Sequence, residues 1–172
     1  MHRPLAAIVL LLLMATAPAG SNEILLDFDD FGAPDLFAEA PRFRESYRAA
    51  GVIFEGGMEV LHEDGNFGVI GHSAPAFLAW NNGVGGNEAE EALTFTTPVS
   101  NFRFLTGSRE PGKINATAYD ANGQVLATQT VALEPNVTLV HLEVANISTV
   151  VITATAQYGV IDDVRFVRTP AD

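Results

Sequence analysis

From Glu23 onward, apolar and polar positions alternate in short runs interrupted by Gly, Pro, Asn and Asp, and almost no segment holds a helical period over three turns. Phe102 and Phe104 share one face while Asn101 and Arg103 take the other, and Ile114, Ala116 and Ala118 oppose Asn115 and Thr117 in the same way. A period of two marks strands with one side on a core and the other in solvent. The pattern predicts strands at Ile24–Asp29, Val52–Phe54, Met58–Leu61, Gly68–Ile70, Phe77–Trp80, Ala92–Phe95, Ser100–Leu105, Lys113–Tyr119, Val125–Leu133, Val137–Val144, Thr149–Ala154 and Val160–Val167. So many short strands in one chain imply two stacked sheets. Asn122-Gly123 between two alternating runs predicts a hairpin turn. The one expected helix is Pro41–Ala50, with Pro41 suited to a first turn and Gly51 to a left-handed stop.

Composition changes the picture at the N-terminus. His2 and Arg3 precede the apolar run Leu5 to Met14, and Ala17-Pro18-Ala19 follows with small residues, which reads as a secretory signal peptide over 1–19 cut after Ala19. The apolar run is too short to span a bilayer. Residues 20–172 then form a single domain with no membrane span, in a secreted, periplasmic or cell-surface protein. The 172-residue chain has 21 acidic against 9 basic side chains, a net charge of −12, one lysine and no cysteine. Nucleic acid is excluded as a partner, because phosphate backbones are bound through clustered Lys and Arg. Without disulfides, stability must come from core burial and any bound metal.

Candidate chemistry begins with two acidic groups, Asp27, Asp29 and Asp30 after the first strand and Asp162-Asp163 within the last. In a regular strand Asp162 is in phase with Val160, Val164 and Phe166, so its carboxylate faces the core and needs a compensating partner. If the first and last strands lie side by side, Asp29 and Asp30 come near Asp162 and Asp163, and an all-oxygen set of this kind suits Ca²⁺. Aspartates that cap turns at sheet ends account for the same residues without an ion.

The segments Leu26-Asp27-Phe28-Asp29-Asp30, Tyr47 with Gly51-Val52-Ile53-Phe54, Thr117 to Gly123, and Val160-Ile161-Asp162-Asp163-Val164-Arg165-Phe166 resemble secreted bacterial β-sandwich domains of PEP-CTERM-type exported proteins. They are similar to jelly-roll, galactose-binding-like carbohydrate-binding modules. The resemblance implies an all-β, two-sheet antiparallel jelly roll with at most one short helix, and a structural Ca²⁺ held by Asp29 with Asp162 or Asp163. It differs from those exported proteins in lacking a sorting tail.

Further candidates are weaker in pattern. His62-Glu63-Asp64 with His72, Glu55 and Glu59 could hold Zn²⁺ or act as acid and base, but the spacing fits no zinc motif and equally describes a polar turn. Gly71-His72-Ser73-Ala74-Pro75 lacks the context of a nucleophile elbow. Trp80, Tyr119 and Tyr158 are the aromatic candidates for stacking on sugar. Trp80 with Asn81, Asn82 and the loop to Asn87 is the expected ligand site, although Trp80 also ends an apolar run that suits a core. The expected function is a non-catalytic module binding glycan or extracellular matrix. A small secreted hydrolase or lyase on the same scaffold, and a matrix or adhesion protein without a small ligand, are the alternatives.

Overall fold

The computed structural model describes residues 22–34, 37, 44–65, 68–83 and 89–168; the leader expected over 1–19 lies outside them. Among the described residues ten strands follow one another: β1 Glu23–Leu26, β2 Val52–Phe54, β3 Glu59–His62, β4 Ala76–Asn81, β5 Glu90–Gly107, β6 Gly112–Tyr119, β7 Val125–Leu133, β8 Thr138–Leu142, β9 Ile147–Ala154 and β10 Tyr158–Arg168. The fold is an all-β sandwich, as the alternation implies. Gly68–Ile70 does not form a strand, because only Ile70 pairs, in an isolated parallel bridge to Asn136.

The two runs expected at Ala92–Phe95 and Ser100–Leu105 are one long strand that changes layer. The first part of β5 lies between β2 and β9, whereas its last part lies between β10 and β8. The change falls at Thr96-Thr97-Pro98, where all three residues are exposed, Pro98 has no N–H to give, and the register with β9 shifts. One layer therefore runs β2-β5-β9-β6-β7. The other runs β3-β4-β10-β5-β8, with β1 beside the second half of β10. Phe95 and Phe166 meet edge to face across the core at 5.0 Å, with Phe102 6.0 Å from Phe95.

β4 is buried on both faces, which explains why its sequence is continuously apolar rather than alternating. Ala76, Leu78 and Trp80 enter the main core, while Phe77 and Ala79 join a second cluster with Phe37, Leu61, Val69 and Val160. Gly159 is required beside Trp80, since a Cβ there would lie 2.4 Å from the indole ring.

The phase expected for Asp162 does not hold along β10. Asp163 takes a positive φ of 49°, and the register with β5 shifts between Asp162 and Arg165. The resulting bulge returns Val164 and Phe166 to the main core with Ile161, and leaves Asp162 on the other face with Val160 of the second cluster. Asp162 is fully buried there.

The β6–β7 hairpin forms as expected. Asp120 Oδ1 accepts the N–H groups of Asn122 and Gln124 at 2.8 Å each, and Gly123 supplies a φ of 75°. Those bonds, the one from Gln124 foremost, hold the Asp120 carboxyl below its usual range. Of the expected helix at Pro41–Ala50, residues 41–43 lie outside the described residues and 44–47 form a turn. Only Arg48–Ala50 is helical, a 3-10 turn ended by Gly51 at φ 89°.

Candidate functional site

β1 and β10 pair antiparallel, with Leu26 opposite Val164, so the two acidic groups do reach one end of the sheet. Their oxygens meet protein donors there. Asp162 Oδ2 accepts both the N–H and the hydroxyl of Ser73, at 2.6 and 2.8 Å, and its Oδ1 accepts the Asp163 N–H at 2.7 Å. Asp29 Oδ1 accepts the Ala76 N–H at 3.0 Å, and Asp30 accepts the Tyr47 hydroxyl at 2.7 Å. Asp163 lies 3.7 Å from Arg165. Asp29 and Asp162 thus fasten the Ser73–Ala76 segment from its two ends. Burial pushes the Asp162 carboxyl up to about 6, against the lowering effect of its hydrogen bonds. Among the described residues, no group of three or more His, Cys, Asp or Glu side chains is placed to hold a metal ion.

Of the site expected at Trp80, Asn81 and Asn82, the tryptophan presents no ring to solvent. Trp80 is fully buried, and its indole N–H donates to the Ala156 carbonyl at 3.2 Å. The reason is the doubly buried β4, whose even positions from Ala76 to Trp80 all point into the main core. Asn82 is spent on the backbone at both ends of its amide, donating to the Ala156 carbonyl and accepting from the Ala89 N–H. Asn81 accepts the Gly83 N–H. The two amides clasp the loop they open; residues 84–88 of that loop lie outside the described residues.

The histidines and glutamates singled out by sequence make separate local contacts. His62 Nδ1 accepts the Asp64 N–H, and the His72 Nδ1–H donates to the Ser73 carbonyl at 2.7 Å with its ring against Phe77. Glu55 accepts the Thr94 hydroxyl at 2.6 Å, and Glu59 is buried in β3. A strongly perturbed carboxylate lies outside this group. Glu91 is 1% exposed and accepts the N–H groups of Gly56 at 2.6 Å and Met58 at 3.2 Å. Burial lifts its carboxyl to about 7 in spite of the backbone bonds that oppose the shift. Its signal was in the sequence, because Glu91 shares its phase with the inward Leu93 and Phe95.

A concave surface does lie at the layer-changing corner. It is an open cleft of about 760 Å³ lined by Thr94, Phe95, Thr96 and Pro98 of β5, Tyr119 to Ala121 and Gly123 of the hairpin, and Ser148 and Thr149 of β9. Strand register builds its floor. Tyr119 is opposite Thr149, and Thr149 is opposite Thr94, so one aromatic and two hydroxyl side chains stand in a row across three neighbouring strands. All three occupy outward positions, since Ala118, Val150, Leu93 and Phe95 take the inward ones. At roughly 4.8 Å between strands, the row extends about 10 Å. Of the lining side chains only Asp120 is ionised, and its Oδ1 is held within its own turn. The Thr149 hydroxyl can donate and accept, and the Thr94 hydroxyl, which donates to Glu55, can still accept; beside a planar ring they can meet a ligand carrying hydroxyl groups and apolar C–H faces.

No protein-family model matches the chain, and no curated protein matches it. Among solved structures it is similar to a DUF4465 family protein from Bacteroides caccae at 11% identity, over 89% of this chain and 95% of the other, with a TM-score of 0.49. TmCBM61 in complex with β-1,4-galactotriose aligns at 14% identity over 79% of this chain and 99% of its own, with a TM-score of 0.42. A family 6 carbohydrate-binding module aligns at 12% identity over 67% and 85%, with a TM-score of 0.38. The fold assignment rests on this chain's own strand pairings.

Proposed function

We propose that this protein is an exported, non-catalytic module that binds neutral glycan in the cleft beside Tyr119. The observation that carries the reading is the row Tyr119–Thr149–Thr94, an aromatic ring continued by hydroxyl side chains on an open surface. A sugar offers the complementary surface, with C–H groups for the ring and hydroxyls for the threonines. The acidic chain disfavours an anionic polysaccharide. Export rests on the leader expected over residues 1–19, and among the described residues no helix is long and apolar enough to cross a membrane. A glycan array followed by calorimetry tests the proposal. Neutral oligosaccharides are expected to bind, and Tyr119→Ala to weaken the binding about tenfold, or about 1.4 kcal/mol, with the fold intact by circular dichroism. Blanks across neutral glycans, or a Tyr119→Ala protein that binds as the wild type does, would overturn it.

A further inference from the structure

The strand order of one layer ends on β7; β8 lies against it, with the His141 N–H donating to Gln129 Oε1 at 2.6 Å, but among the described residues no strand pairs with the outer backbone edge of β7. Long edge strands are ordinarily blunted with charges or proline, because their unpaired N–H and C=O groups recruit other strands. β7 has neither. Its sequence, Val-Leu-Ala-Thr-Gln-Thr-Val-Ala-Leu, holds no ionisable residue although the chain carries a net charge of −12, and its single bulge lies at its start, beside Tyr119. Leu126, Thr128, Thr130 and Ala132 are all exposed.

The strand is also symmetric about its centre in the pattern of polar and apolar residues. Around Gln129, Thr128 mirrors Thr130, Ala127 mirrors Val131, Leu126 mirrors Ala132 and Val125 mirrors Leu133. The backbone has the matching phase. Lys113 of β6 accepts the Thr155 N–H on the β9 side, so by alternation Ile114, Ala116 and Ala118 bond toward β7. Their partners Val131, Gln129 and Ala127 therefore bond inward to β6, which leaves the N–H and C=O groups of Thr128, Thr130 and Ala132 pointing out. An antiparallel pairing of two β7 strands about a two-fold axis at Gln129 sets Thr128 opposite Thr130 of the second copy, and both residues present outward groups. A register shifted by one residue would set outward groups against inward ones.

We infer that β7 is a homodimerisation edge, pairing antiparallel with β7 of a second copy of this chain about Gln129. The observation that selects a second copy over another partner is the symmetry of polar and apolar positions about Gln129, centred on Thr128 and Thr130; the backbone phase requires only that outward groups face outward groups. Continuing the register places Glu134 opposite Gln124 of the second copy, so no two acids face each other at the ends. The contact is isologous and closes at two copies. It extends one layer across the dimer and puts the two hairpin turns at opposite ends of the paired strands, about 30 Å apart at strand rise.

Analytical ultracentrifugation across a wide concentration range tests the inference, with folding followed by circular dichroism. The wild type is expected to sediment at twice the monomer mass at high concentration. Thr128→Lys combined with Thr130→Lys puts like charges opposite each other and is expected to give monomer. Thr128→Lys combined with Thr130→Glu puts opposite charges together in this register alone and is expected to restore the dimer. A wild type that stays monomeric throughout, or a dimer that both double variants leave unchanged, would overturn it. Glycan binding by the monomeric double variant keeps this result separate from the reading of the Tyr119 cleft.

Discussion

Raising the pH from about 5 to about 8 should destabilise this domain, and Glu91 makes the loss measurable. Its carboxyl is lifted from 4.5 to about 7 by burial, so the folded chain holds this proton more tightly than the unfolded chain does. Between those two values the native state binds more protons, and stability falls as pH rises through the window. The contribution is fully present below about 4.5 and is lost above about 7. A shift of that size corresponds to about 3 kcal/mol, or roughly 6–12 °C in melting temperature for a domain this long. Thermal melts at fixed ionic strength, comparing wild type with Glu91→Gln, isolate the group. The amide does not titrate, but the variant shares every other charge with the wild type. The substituted side chain can accept from the Gly56 N–H with its oxygen and must turn its NH₂ toward the Met58 N–H, which adds a cost that does not vary with pH. The variant should therefore be markedly less stable than wild type at the acid end, with the gap narrowing toward pH 8. Parallel melting curves, or a wild type whose melting temperature rises across the window, would refute the reasoning.

Trp80→Ala should cost about 3–5 kcal/mol, read from a denaturant midpoint, because it empties a fully buried indole site; Tyr119→Ala, at a half-buried outward position, should shift that midpoint much less. The calcium expectation for Asp29, Asp30, Asp162 and Asp163 is tested by melting in EDTA and in excess Ca²⁺. Ser73, Ala76, Tyr47 and Asp163 already supply donors to three of these carboxylates, so the expected result is one melting temperature. A ligand at a hundred times its dissociation constant would add about 2.7 kcal/mol. Such a rise, abolished in Asp162→Asn, would establish an ion there.

Alternation made most of the sandwich legible, because a strand with one face on the core must repeat its apolar residues every second position. Val52–Phe54 and Val125–Leu133 have the same bounds in sequence and structure. The pattern misled where a strand departs from that condition. In β5 the polar stretch Thr96-Thr97-Pro98 looks like a break, yet the chain continues through it as a corner between layers. In β10 a regular alternation would run through Asp162 and Asp163, but a left-handed residue at Asp163 resets the phase. A bulge of one residue is invisible to a periodicity of two until pairing partners are known.

The site was less legible for a related reason. Trp80 is the sole tryptophan and two asparagines follow it, but its exposure depends on which face of β4 lies on the main core. That is decided by Ala156, whose carbonyl accepts the indole N–H, and by Gly159 of β10 beside the ring, both far along the chain from Trp80. Tyr119, Thr149 and Thr94 are ordinary strand residues one at a time. They become a surface through the registers of β6 with β9 and of β9 with β5, two pairings between segments distant along the chain. Glu91 is the opposite case, since a glutamate in phase with Leu93 and Phe95 announces a buried carboxylate locally. A polar residue that breaks an inward pattern can therefore be found from its own strand, whereas a binding face assembled across strands needs the topology first.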